Sequence, residues 1–245
     1  VAPAAARAAT VTLLPASRDA NDVYLWADVN SSGQVAGTVF SNVTFLGRAV
    51  RWSNGAVQVV GASATSANAI DARGVLLGDI RHLDPVTPTI NPAYWTGSAI
   101  TEVPNTYQAE TVGFREVTES GTASLIVNTT AAVAHAPSYR SAHAIGTSEC
   151  RLPLSVNKAG HMLCSPSTAV RNVFVSGSVT KILPAYALAS SLTHHMLSDT
   201  DVVVLSDQST PRVVLWHPLT GRTQALRAAP GGPTSYSQLA ITPNG

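Results

Sequence analysis

Ala27-Asp-Val-Asn-Ser-Ser-Gly-Gln-Val-Ala-Gly37 reads as an apolar strand, a polar turn ending on Gly33 and a second apolar strand. The same figure returns as Ala69-Ile-Asp-Ala-Arg-Gly-Val-Leu-Leu-Gly78, as Glu116-Val-Thr-Glu-Ser-Gly-Thr-Ala-Ser-Leu125 and as Ser155-Val-Asn-Lys-Ala-Gly-His-Met-Leu163. In Leu197-Ser-Asp-Thr-Asp-Val-Val-Val-Leu205 the glycine is replaced by Asp201, and Ala240-Ile-Thr-Pro-Asn-Gly245 is the first half of a further copy. The turn positions 33, 74, 121, 160, 201 and 245 are spaced by 41, 47, 39, 41 and 44 residues. Glycine closes most of these turns because a tight hairpin needs a residue that accepts positive φ.

A second figure, two strands around a glycine turn, lies between the copies. It reads Arg48-Ala-Val-Arg-Trp-Ser-Asn-Gly-Ala-Val-Gln-Val-Val60 and Pro92-Ala-Tyr-Trp-Thr-Gly-Ser-Ala-Ile-Thr-Glu-Val103. It returns as Arg171-Asn-Val-Phe-Val-Ser-Gly-Ser-Val-Thr-Lys-Ile-Leu183 and within Arg212–Leu226. One unit is therefore four short strands, a to d, in 40 to 45 residues, which is the arithmetic of a β-propeller blade. The chain opens on an orphan d strand, Val11–Ala16, and closes on an orphan a strand. This predicts an all-β propeller over residues 10–245 with four-stranded antiparallel blades: six blades, the last completed beyond Gly245, or five with an irregular closure.

The motif Asp28-Val-Asn-x-x-Gly-Gln-Val-x-Gly37, followed by Arg48-Ala-Val-Arg-Trp-x-x-Gly55, resembles the HAF repeats of extracellular bacterial proteins. The His-Ala-Phe step that names those repeats is replaced here by Arg48-Ala-Val50, Pro92-Ala-Tyr94, Arg171-Asn-Val173 and Arg212-Val-Val214, and the third unit matches faintly. The resemblance implies an extracellular, propeller-like fold and carries no catalytic signature.

Composition agrees with export. Of 245 residues, 45% are hydrophobic and 12% charged, the formal charge is +1, and no basic run exists to hold nucleic acid. Residues 1–9 read as the remnant of a signal peptide or as a disordered Ala-rich tail. No apolar stretch is long enough for a membrane-spanning helix. Cys150 and Cys164 flank the turn signal Asn157-Lys-Ala-Gly160, so a disulfide across adjacent strands is expected, as in an oxidising compartment. No Cys/His spacing suggests a metal, and no cofactor is implied.

The repeated tryptophan position (Trp52, Trp95, Trp216, with Val175 in the fourth unit) reads as packing between units rather than as a sugar platform. The adjacent His194 and His195 point to opposite faces of a strand and make a poor metal chelate. Asp28, Asp71, Glu116, Glu119 and Asp199 sit on or beside inner strands. Two of them at a suitable separation would suit a polysaccharide hydrolase or lyase, whereas their closeness to the recurring turn favours bonds to backbone. Asn30-Ser-Ser, Asn42-Val-Thr and Asn128-Thr-Thr are formal glycosylation sequons.

No catalytic motif is present, so the protein reads as a binding module rather than an enzyme. The b–c connections Asp79–Pro92 and Asn128–Arg140 are read as the longest loops, and extra loop length often carries function. They supply the candidate binding residues Arg81, His82, Asp84, His135, Tyr139 and Arg140, with Tyr107 from a d–a loop on the same face. The expected partner is a glycan or an extracellular protein, met lectin-fashion. A structural subunit of a secreted assembly is the remaining alternative.

Overall fold

A computed structural model describes residues 14–16, 19–84, 89–103, 113–127, 130–140, 142–145, 150, 152–165, 172–184, 187–188, 197–207 and 212–226. Every regular element among them is a strand, and the strands form five four-stranded antiparallel sheets in chain order. The first holds β1 (Asp22–Val29), β2 (Val35–Ser41), β3 (Gly47–Ser53) and β4 (Ala56–Val59). The second holds β5 (Thr65–Ile70), β6 (Leu76–His82), β7 (Thr89–Thr96) and β8 (Ala99–Glu102). The third holds β9 (Gly113–Val117), β10 (Thr122–Val127), β11 (Thr130–His135) and β12 (Ala142–Ala144). The fourth holds β13 (Leu152–Val156), β14 (Met162–Ser165), β15 (Val173–Ser176) and β16 (Val179–Ile182). The fifth holds β17 (Ala187–Leu188), β18 (Val203–Asp207), β19 (Arg212–His217) and β20 (Arg222–Leu226). Each sheet is one repeat unit. The orphan a strand at 240–245 lies outside the described residues.

The recurring turn is the same device five times. Gly33, Gly74, Gly121, Gly160 and Asp201 all have positive φ, between 60° and 84°. Four residues before the second strand's first bond stands Asn30, Asp71, Thr118, Asn157 or Ser198. Each exchanges backbone bonds across the turn, and its side-chain oxygen also accepts a backbone N–H from the turn's far side. Short polar side chains that bond locally are the residues a turn selects. Asp201 replaces glycine because Asp tolerates the left-handed region. Its Oδ1 also accepts from Asn157 Nδ2 at 2.8 Å and lies 2.7 Å from His161 Nδ1, joining the fourth and fifth sheets.

Each pair of consecutive sheets encloses its own core. Ala36, Ala49 and Val60 of the first sheet meet Ile70, Leu76 and Trp95 of the second. Leu77 and Tyr94 meet Phe114, Leu125 and Tyr139, Val133 meets Met162 and Val175, and Phe174 meets Leu205 and Trp216. A single four-stranded sheet cannot bury both faces, and stacking solves this. Trp95, Val175 and Trp216 reach back into the preceding sheet's core, which is the packing role expected of that position. Trp52 has no preceding sheet among the described residues and is only half-buried.

Cys150 and Cys164 form a disulfide, Cα–Cα 5.2 Å, buried in the core between the third and fourth sheets. The Cys150 carbonyl also accepts the N–H of Ala131, at the start of β11. Closing a loop of this length removes about 3 kcal/mol of unfolded-state entropy. The double Ala variant is expected to lose about that much, read as a lower denaturant midpoint. A change below about 1 kcal/mol would mean that inter-sheet packing alone holds β13.

Two connections differ from expectation. Asp79–Pro92 is mostly strand, since β6 runs to His82 and β7 starts at Thr89. In the third unit, Thr130–His135 is strand c itself, so only residues 128–129 separate β10 from β11. That strand is almost all alanine and valine without the Trp-turn-Gly marker, and its small side chains pack at 0–5% exposure against two sheets. No helix among the described residues is long and apolar enough to cross a membrane.

Candidate binding cleft

The expected binding residues divide between the two ends of the sheets. Arg81, His82 and Asp84 are exposed at the end of β6, where strand b hands over to c. His135, Tyr139 and Arg140 are at the other end, because His135 ends β11 opposite Thr122, which begins β10. They do not share a face with Arg81. Tyr139 is fully buried, and its hydroxyl donates to Asp71 Oδ2 at 2.9 Å. Its ring packs edge-on against Tyr94 and Phe114, so it is a core residue and not a ligand contact. His135 and Arg140 are exposed at that turn end, and Tyr107 lies outside the described residues, as do His194, His195 and Asn128. His82 faces Glu102, Nε2 to Oε2 3.0 Å, and Asn91 donates to the same oxygen. The Asn91 amide, with His82 assisting, holds the Glu102 carboxyl below its ordinary value against the opposing effect of burial.

Arg81 instead lines a cleft of about 450 Å³ that sequence reasoning did not assemble. Its walls come from the first strands of the first three sheets: Leu25–Ala27 of β1, Thr65–Asn68 of β5, and Gly113 and Arg115 of β9. Thr38, Phe40, Asp79 and Arg81 of the second strands and Phe45 of the first b–c turn complete it. A volume of this size is usual for a small-ligand site.

Three β-bulges aim the strands into it. The register skips Ala27 between Trp26 and Asp28, Asn68 between Ala67 and Ala69, and Arg115 between Phe114 and Glu116. All three extra residues line the cleft. Bulges redirect side chains and are common beside functional sites. Each bulged residue stands three places before the turn residue Asn30, Asp71 or Thr118, as does Leu154 before Asn157 in the fourth sheet, away from the cleft, so the spacing marks the repeat rather than the site.

The residue after the bulge locks neighbouring sheets together in the first and third sheets, and in the fourth, which carries the same bulge at Leu154; in the second sheet that residue is Ala69, which has no such group. Asp28 Oδ2 accepts the N–H of Ile70, Glu116 Oε2 that of Val156, and Ser155 Oγ that of Leu197. Asp71 is bound to Arg73 and Tyr139, Glu119 to Ser31, and Asp199 to the Lys158 N–H. Asp28, Asp71, Glu116, Glu119 and Asp199 thus serve turns and sheet-to-sheet contacts, the structural role expected of them.

The cleft brings polar and apolar groups together. Asp79 Oδ2 accepts from Ser66 Oγ at 2.8 Å and Asn68 Nδ2 at 3.3 Å, and Asn68 also donates to the Phe114 carbonyl. The Arg81 and Arg115 guanidinium groups have no hydrogen-bond or carboxylate partner among the described residues. Phe45 is 71% exposed, its ring edge-on to Phe40 at 6.5 Å. Trp26 is partly exposed and stacks on Tyr24. Phe45 and Ala64 both hold left-handed φ, 56° and 65°. A bulky residue pays for such a backbone, and strain of this kind concentrates at ligand clamps. Among the described residues no group of three His, Cys, Asp or Glu side chains is placed to hold a metal ion. Asn30 of the first sequon is buried, its amide given to Gln34 and to the Asp71 carbonyl, whereas Asn42 is exposed.

No protein-family model matches the chain, and no curated protein matches it. Among solved structures it is similar to that of a Mycobacterium tuberculosis puromycin-hydrolyzing peptidase, at 14% identity and a TM-score of 0.52. The match covers 86% of this chain and 38% of that one, so the chain spans well under half the length of that protein. At this identity the likeness is one of fold.

Proposed function

We propose that this chain is a secreted binding module whose five sheets are blades of a HAF-type β-propeller, and that it takes a glycan into the cleft on its inner strands. The observation that carries the reading is a cleft with an exposed Phe45 held at positive φ, lined by three bulged strands and by two arginines that have no partner among the described residues. Cores between consecutive sheets and the one-sheet-per-repeat order support the propeller. The buried disulfide supports an oxidising compartment. Binding is favoured over hydrolysis because the inner-strand acids are already engaged in turns and inter-sheet bonds.

The test is a glycan array with bacterial cell-wall material included, probed with the native protein and with Phe45→Ala. Competable binding by the native protein that falls at least about tenfold in Phe45→Ala is expected, since a stacked aromatic face contributes more than about 1 kcal/mol at a binding site. Binding unaffected by Phe45→Ala would place the site elsewhere, and a blank array would turn the reading towards protein partners.

A further inference from the structure

We infer that the ligand of this cleft is an acidic saccharide, a uronate whose carboxylate is taken between Arg81 and Arg115; the inference rests on the cleft being the binding site. The two arginines come from different sheets, β6 and β9, and both are exposed on the same cleft. Neither has a carboxylate or hydrogen-bond partner among the described residues, although Arg48 and Arg73 elsewhere in the chain are each paired with an aspartate. Asp79 is the one carboxylate among the described residues that line the cleft, and it is held by Ser66 and Asn68. The described lining therefore carries more positive than negative charge, which an anion would balance, and a guanidinium matches a carboxylate in planar, two-point geometry.

Two further features narrow the anion to a sugar acid. Among the described residues both hydrogen bonds to Asp79 fall on Oδ2, which leaves Oδ1 to accept from a ligand hydroxyl. The exposed Phe45 ring, with Phe40 against it and Leu25 lining the same cleft, offers an apolar face on which the C–H side of a pyranose can lie. A hexuronate supplies the carboxylate, the hydroxyls and the apolar face on one ring. An acidic peptide would be expected to add as a further strand along β1, β5 or β9, but each of these is interrupted by a bulge at the cleft, which breaks the ladder such a strand needs.

Calorimetric titration of the native protein with oligogalacturonate, oligomannuronate and a hyaluronan tetrasaccharide, each beside its carboxyl-reduced counterpart, tests this. At least one acid is expected to bind, with its reduced counterpart at least about tenfold weaker, as for loss of a charge-assisted pair. Arg81→Gln and Arg115→Gln are each expected to weaken the acid by a similar factor and the reduced sugar by much less. Both side chains are exposed, and matching thermal midpoints would show that the variants fold. Equal binding of acid and reduced sugar, still lost in Phe45→Ala, would overturn the carboxylate inference and leave the cleft standing. Acid binding that none of the three substitutions moves would overturn both. Failure of all three acids would overturn the inference, and a glutamate-rich peptide bound through Arg81 and Arg115 instead would replace it with a peptide ligand.

Discussion

Asp71→Ala is expected to lower the stability of the protein by about 3 to 5 kcal/mol, from the loss of a buried, fully engaged carboxylate. Asp71 is 1% exposed. Oδ1 accepts the N–H groups of Arg73 and Val75, both at 2.9 Å, and closes the recurring turn of the second sheet. Oδ2 takes the Tyr139 hydroxyl and the Arg73 guanidinium. The Asp71 carbonyl accepts from Asn30 of the first sheet, so this one residue ties three consecutive sheets together at their turn end. Alanine leaves two amides and a phenol without an acceptor where little water can reach them. Asp71→Asn should cost much less, because Asn30 and Asn157 close the equivalent turns through their own Oδ1. Urea midpoints of the two variants separate the cases. Equal losses would mean that the charge, not the turn geometry, is what the site needs.

The partner phenol adds a pH dependence. Burial, then the neighbouring Asp71 charge and the bond to it, push the Tyr139 hydroxyl well above its ordinary value, with Arg73 opposing. The folded protein thus keeps this proton to a higher pH than the unfolded chain, whose tyrosines ionise near about pH 10. The contribution is whole below that pH and is lost as pH rises above it towards the folded value. Tyr139→Phe, which removes the titrating group, should show a shallower alkaline loss of stability than the native protein.

The turn that organises these contacts was legible because its chemistry is local. Asn30, Gly33 and their counterparts are chosen by the backbone they must make, and that choice repeats whatever surrounds it. The unit length, the four strands and the packing role of Trp95 and Trp216 follow from the same local rules. The cleft was not legible in this way. Arg81 was visible as a residue at the end of a strand, but Arg115 and Asn68 are marked only by a skipped register, which depends on pairing with a neighbouring strand. Tyr139 was misplaced for a related reason. Thr130-Ala-Ala-Val-Ala-His135 lacks both the tryptophan and the glycine turn that mark strand c elsewhere, so from sequence its end looks like a loop tip. What puts Tyr139 inside is Asp71, 68 positions earlier, a contact no local pattern announces.

Phe174→Ala is expected to cost about 3 to 5 kcal/mol, the usual range for emptying a large aromatic site in a close-packed core. Phe174 is the centre of β15 and has no exposed surface. Its ring lies edge-on to Trp216 of the fifth sheet at 6.5 Å and to His161 of its own sheet at 5.9 Å, within the core shared with Leu163, Leu197 and Leu205. Leucine would fill part of the space and should recover roughly half of the loss. The location of the loss is as informative as its size. Repeat proteins are held by contacts between neighbours, so a defect between two units should release those units first. Amide exchange on Phe174→Ala should therefore show β18 and β19 opening well before β2 and β6, and Asp71→Ala should show the reverse order. If each variant instead lowered protection uniformly across all five sheets, the stack would be unfolding as one cooperative body. The ties between neighbouring sheets, such as Asp28 to Ile70 and Asn157 to Ser198, would then be strong enough to carry a local defect through the whole chain.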